Sequence, residues 1–272
     1  MNFIREPKVA GMFYPAEADE LEKLIYHLLA QVNLKEKYNS VKGLISPHAG
    51  YVYSGQTAAY AYSTIRDKSY ENVIVISPSH REYFDGISIY DGDAYKTPLG
   101  IIPVNKNLRD EFIKQSNIIF TSTKGHGAEH ALEVQLPFLQ VVQSNFKIIP
   151  IVIGAQNHKN IFGLADALFN TIDDETLIVV SSDLSHFYSK EEALNLDSLV
   201  IEYIDHMDYK TLEHDLELKK CEACGGGGIV ALLKTMNEKK NIKAKVLEYC
   251  DSGDVSGDSE EVVGYLSAVL YE

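Results

Sequence analysis

The sequence predicts an α/β fold: one domain over residues 1–272, with a central mixed, mostly parallel sheet flanked by helices. Three observations predict it. Short β-branched runs alternate with amphipathic stretches along most of the chain, the pattern of a sheet covered by helices on both faces. Three of those runs stop at a breaker and deliver a histidine. Residues 41–45 run into Ser46-Pro47-His48-Ala49-Gly50-Tyr51, 73–76 into Ser77-Pro78-Ser79-His80, and 177–180 into Ser181-Ser182-Asp183-Leu184-Ser185-His186. Loops leaving the carboxyl ends of parallel strands are where such sheets bind ligands. Finally, the runs 243–249 and 262–270 are separated only by a loop rich in Gly, Ser and Asp. They therefore pair antiparallel, which makes the sheet mixed.

Each element follows from its local pattern. Residues 10–15 read as an irregular lead-in, and 17–32 place Leu21, Leu24, Ile25, Leu28 and Leu29 on one helical stripe. After the strand 41–45 and its histidine loop, Ser54 suits the N-cap of a helix through Ala58, Ala59, Ala61 and Ile65. The strand 72–77 leads into an excursion over 86–104, punctuated by Gly, Asp and Pro, that reads as short strands, then a helix over 106–115. Gly125-His126-Gly127-Ala128-Glu129-His130 breaks regular structure before a helical period over 131–142, in which Pro137 marks a kink or an early end. Strands at 147–153 and 176–180 alternate with helices at 157–169 and 191–204. A helix over 209–219 then meets Cys221-Glu222-Ala223-Cys224 and the run Gly225 to Gly228, which opens a helix over 229–239.

Composition narrows the function. Lys+Arg of 25 against Asp+Glu of 39 gives a formal charge of −14, which repels phosphate backbones and argues against nucleic acid as a partner. No apolar run approaches transmembrane length. The first ten residues carry charges and Pro7 where a secretory signal needs an apolar core, so a cytoplasmic protein without a membrane partner is expected. Three cysteines in so long a chain suit a reducing compartment better than a disulfide framework.

The three strand-end histidines are the first chemical signal, because imidazole is the commonest protein metal ligand and a short loop on a strand end holds its ring rigidly. Cys224 is the second. It precedes four glycines at a helix start, where free backbone N–H groups lower a thiol pKa, so Cys224 is expected to be the reactive thiol in preference to Cys221 or Cys250. It reads as a metal ligand or a nucleophile; alternatively, the glycines only let a helix pack closely on the sheet, with Cys224 as a small hydrophobe. Asp183, three residues before His186, suits a general base, a partner of a ligand, a ligand or a cap. His130 and Glu133 would share a helix face, as a metal pair or a solvated helix start. His126, His158, His206 and His214 have no supporting context and are expected at the surface.

Together, Ser-Pro-His-Ala-Gly-Tyr at 46–51, Ser-Pro-Ser-His at 77–80, Glu129-His130 with Glu133 and Leu136-Pro137, Ser181-Ser182-Asp183 with His186, and Cys224-Gly225 resemble the Memo family. In prokaryotes that family includes protein B of the AmmeMemoRadiSam system, and the likeness runs from Ala10 nearly to the end of the chain. The resemblance implies a fold similar to class III extradiol dioxygenases and a metal site matching His48, His80 and Cys224, with Asp183, His186 and His130 around it. It also implies iron- or copper-dependent redox chemistry, with zinc as an alternative ion, and a small molecule or a peptide in the cleft. AMMECR1-like and radical SAM proteins are the partners it suggests. Two functions follow: a metal-dependent oxidoreductase using Asp183, His186 and His130 for catalysis, or a binding or scaffold protein that keeps the cleft without chemistry. A metal-free hydrolase or transferase with Cys224 as nucleophile is a third reading.

Overall fold

Alternate residues of the central strands enter two separate cores, which is why those strands read as unbroken apolar runs. Val73, Val75, Leu177 and Val179 join one core and Ile74, Ile76, Ile178 and Val180 the other. In the computed structural model, which describes residues 3–239 and 241–272, the chain runs through β1 (Ile4–Arg5), α1 (Ala18–Ala30), β2 (Val41–Ser46), α2 (Tyr51–Ser63) and β3 (Asn72–Pro78). The excursion forms β4 (Ile87–Tyr90), β5 (Ala94–Thr97) and β6 (Gly100–Pro103), followed by α3 (Lys106–Gln115) and β7 (Ile119–Ser122). Next come α4 (Leu136–Val142), β8 (Lys147–Ile153), α5 (His158–Thr171), β9 (Thr176–Ser181) and β10 (His186–Tyr188). The chain closes with α6 (Lys190–Asp205), α7 (Tyr209–Glu217), α8 (Gly226–Asn237), β11 (Lys243–Asp251), α9 (Gly253–Ser256) and β12 (Val262–Tyr271).

Among the described residues a nine-stranded sheet has the order β10-β12-β2-β9-β3-β8-β4-β7, with β11 also on β12. Its centre, β2-β9-β3-β8, is parallel; β12 joins β2 antiparallel and β4 joins β8 antiparallel, so the sheet is mixed as expected. Helices α1, α2 and α4 pack together over one face, and α3, α5, α7 and α8 over the other. Parallel pairing sets Ser46 opposite Ser181 and brings the carboxyl end of β3 beside them. The loops carrying His48, Asp183 and His80 therefore leave one edge of the sheet side by side.

Several expectations need correction. The second helix starts at Tyr51, three residues before Ser54, because the Phe13 carbonyl accepts the Tyr51 N–H at 2.7 Å; Ser54 lies inside the helix, its hydroxyl donating to the Ala49 carbonyl at 3.0 Å. Pro137 neither kinks nor ends a helix: a 3₁₀ turn over Glu133–Gln135 precedes α4, and Pro137 sits in its first turn, where no N–H is needed. Strands β7 and β10 were not expected. β10 is three residues long and bulged, with Phe187 at φ 64°, so it carries no alternating pattern to read.

Candidate metal centre

His48 lies two residues past β2, and its buried loop is held by neighbours: the His48 N–H donates to Asp183 Oδ1 at 2.7 Å, and the ring contacts Ser181 Oγ through Nδ1 at 2.8 Å. The other ring nitrogen, Nε2, lies 3.2 Å from Cys224 Sγ. His80, two residues past β3 and exposed on one side, donates from Nδ1 to Glu129 Oε1 at 2.9 Å. The ligand atoms of His48, His80 and Cys224 all lie within 4.8 Å of one another. The three rings of His48, His80 and His130 cluster with centroids 5.1–5.6 Å apart, and Phe13 lies against His130 at 4.8 Å.

The sequence reading gives Glu129 no role of its own, yet it organises this side of the cluster. Its buried carboxylate accepts the N–H groups of His80, His130 and Ala131 as well as the His80 ring proton. Although burial pushes its pKa upward, the His80 contacts and the backbone N–H groups outweigh that and hold it at about 2. His80, Glu129 and His130 also lie within metal-binding reach of one another, but a carboxylate already accepting four hydrogen bonds has little left for an ion. It acts better as the anchor that fixes the His80 ring. A glutamate directly before a histidine in an irregular segment is the only hint the sequence offers.

Cys224 reaches the cluster because the start of α8 is pressed against the sheet. A Cβ on Gly225 would lie 2.3 Å from the Ser181 carbonyl, and one on Gly228 3.0 Å from Val180. The glycines thus serve close packing, and three of their N–H groups have other acceptors: Gly225 donates to Ser182 Oγ, Gly226 to the Ala223 carbonyl and Gly227 to Gln156 Oε1. The sulfur accepts the Asp183 N–H at 3.1 Å, and it lies 3.2 Å from His48 Nε2 and 4.0 Å from Ser182 Oγ. Burial, then the neighbouring Asp183 carboxylate, push the Cys224 thiol far above its ordinary pKa, with the Asp183 N–H opposing weakly. Cys221 and Cys250 are pushed to about 11, again by burial first. The expected low-pKa thiol is therefore corrected for the metal-free protein; a thiolate here needs a cation beside it.

Asp183 and His186 stand around the cluster in different ways. Asp183 is buried, holds the His48 N–H, and has one oxygen 3.8 Å from His48 Nε2; burial raises its carboxyl to about 6. His186 donates from Nδ1 to the Leu184 carbonyl at 2.8 Å and lines a cavity of about 830 Å³. Of the clustered residues Cys224 lines that cavity, whose other walls include Leu184, Gln156, Glu213 and Gly227. Burial, then His80, lower His48 to about 3, and burial, then His48, lower His130 to about 4. Both rings are neutral near pH 7, the state that can ligate.

Glu133 is not at the cluster. It pairs with Arg5 at 2.6 Å in the interior and accepts the N–H groups of Lys8 and Val9, tying the N-terminal segment down. His126, expected at the surface, is buried, with Nδ1 2.6 Å from the Tyr95 hydroxyl and Nε2 facing the Ser88 carbonyl. His158, His206 and His214 are exposed as expected.

The family model described as "Memo-like protein" matches residues 5–269. A MEMO1 family protein of Methanosarcina mazei is 35% identical over 271 residues, covering 98% of this chain and 99% of the relative. One of Nitrosopumilus maritimus is 36% identical over 268 residues, covering 96% and 98%. Among solved structures, an uncharacterized protein from Escherichia coli K12 is similar with a TM-score of 0.57 and 14% identity, covering 85% of this chain and 100% of that one; at that identity the likeness is one of fold. Among the described residues no helix is long and apolar enough to cross a membrane.

Proposed function

The chain belongs to the Memo family, and from that premise we propose that it is a metal-dependent oxidoreductase whose ion is held by His48, His80 and Cys224. The carrying observation is the convergence of three donor atoms within 4.8 Å from three separate elements. The donor chemistry fits. Two imidazoles and a thiolate suit Fe(II), Cu(I) or Zn(II), and the Memo family resemblance points to iron or copper. Three protein ligands leave positions open, so an ion bound here supplies electron transfer or Lewis-acid activation of a small molecule.

The rest of the work falls to the chain's own groups. Glu129 fixes the His80 ring, and Asp183 fixes the His48 backbone. With its Nδ1 proton given to the Leu184 carbonyl, the His186 ring keeps Nε2 as a proton acceptor beside the cavity. The cavity is the substrate compartment, and Leu184, Ile161 and Leu216 give it apolar walls.

Elemental analysis of purified protein tests the reading. One iron or copper per chain is expected, lost on His48→Ala, His80→Ala or Cys224→Ser and kept on His186→Ala. Wild-type metal content in all three ligand variants would sink it. Bound metal without dioxygen consumption by the reduced protein, across a panel of small aromatic substrates, would turn the reading towards a binding protein.

A further inference from the structure

The hydrogen-bond network behind His48 determines which of its ring nitrogens carries the proton. Gln135 is buried, and its Nε2 lies 2.9 Å from the Pro47 carbonyl and 2.8 Å from Ser181 Oγ. A carbonyl cannot donate, so the amide orientation is fixed with nitrogen on this side; the Tyr62 hydroxyl, donating to Gln135 Oε1 at 2.7 Å, fixes it from the other. Gln135 thus donates to Ser181. The Ser181 hydroxyl has one proton, and its oxygen lies 2.7 Å from the Ala131 carbonyl, which can only accept. That proton is committed to Ala131. The remaining contact of Ser181 Oγ, 2.8 Å to His48 Nδ1, must then be one in which the ring donates.

We propose that Gln135 and Ser181 are positioning residues that lock His48 as the Nδ1–H tautomer, so that Nε2, 3.2 Å from Cys224 Sγ, is the lone pair offered to the metal. The proposal rests on the metal reading for its purpose but not for its observation, since the proton pattern is a property of the metal-free chain. Tyr62, Gln135, Ser181 and His48 are all buried, so water does not compete for these protons. Placing the His48 proton on Nε2 would leave a bare Nδ1 facing Ser181, whose proton must then leave the Ala131 carbonyl unpaired in the interior.

The experiment is a long-range ¹H–¹⁵N spectrum of metal-free, histidine-labelled protein near pH 7, with His48 assigned by His48→Gln. A bare ¹⁵N at Nε2 and a protonated one at Nδ1 are expected. Protonation at Nε2 in the wild type would overturn the proposal without any variant in the network. Ser181→Ala, checked for fold by circular dichroism, should move the proton population towards Nε2 and weaken cobalt(II) binding by about 10- to 100-fold; Ser181→Thr, which keeps the hydroxyl, should restore both. Wild-type tautomer and affinity in Ser181→Ala would contradict the lock. Failure of the metal reading looks different: the tautomer stands, and His48→Ala binds cobalt(II) as well as the wild type.

Discussion

At the scale of single residues, His48, His80 and Cys224 were legible because each follows a β-branched run or opens a helix. Glu129, Gln135 and Ser181 were not, since their value lies in contacts more than forty positions apart: Glu129 with His80, and Ser181 with Gln135 and His48. Glu129→Gln should therefore lower metal affinity by about 10- to 100-fold without unfolding the chain, because an amide has a single oxygen to accept with and sets a donor NH₂ against the N–H groups facing the other; isothermal titration with cobalt(II) reads it, and an unchanged affinity would count against the anchoring role. His126 shows the opposite failure, a residue without sequence context that is buried against Tyr95 and Ser88. Burial lowers it from 6.5 to about 3. Between those values the unfolded chain binds a proton that the folded chain refuses, so stability is full above about pH 6.5 and falls as pH drops towards 3. The slope from this one group is at most about 1.4 kcal/mol per pH unit. Thermal melts of wild type and His126→Gln from pH 7 to 4 should show the shallower dependence in the variant; parallel curves would contradict it.

At the scale of elements, strands with two buried faces declared themselves, whereas β7, a four-residue strand paired to β4, and β10, three residues on β12, are too short to carry a readable pattern. The lead-in 10–15 read as irregular, yet it is fastened by the buried Arg5–Glu133 pair, with the Tyr14 hydroxyl donating to the same carboxylate. Arg5 carries no motif, and Glu133 reads from the sequence beside His130, not as the partner of Arg5. Arg5 also donates to the carbonyls of His126 and Glu129, so the segment bearing Glu129 leans on it. Glu133→Gln should cost about 3–5 kcal/mol in urea unfolding by leaving a buried guanidinium uncompensated; a loss below about 1 kcal/mol would show the pair to be dispensable. The four-glycine run teaches a similar lesson, since its reading as a close-packing device holds and its reading as a thiol activator does not. Gly225→Ala should destabilise by about 1–3 kcal/mol, because its Cβ would meet the Ser181 backbone and not a flexible side chain. An urea midpoint equal to wild type would refute that.

At the scale of the whole molecule, alternation of strand and helix predicted the mixed sheet, and parallel pairing of β2, β9 and β3 turns three separate loops into one edge. Sequence order alone does not say that His48 and His80 are neighbours. That follows from β9 inserting between their strands, and it is the sheet that converts a recurring strand-end pattern into a cluster. The net charge of −14 places the imidazoles and the thiol of the cluster inside an acidic molecule, a setting that favours a cation over an anion. Anomalous diffraction from crystals of the metal-loaded protein, collected on either side of the metal edge, sees the ion itself. One peak should stand about 2.0–2.3 Å from His48 Nε2, His80 Nε2 and Cys224 Sγ. A peak bound instead by His130 and Glu129, or one with His186 as a ligand, or no peak in protein that carries metal in solution, would contradict the centre described here.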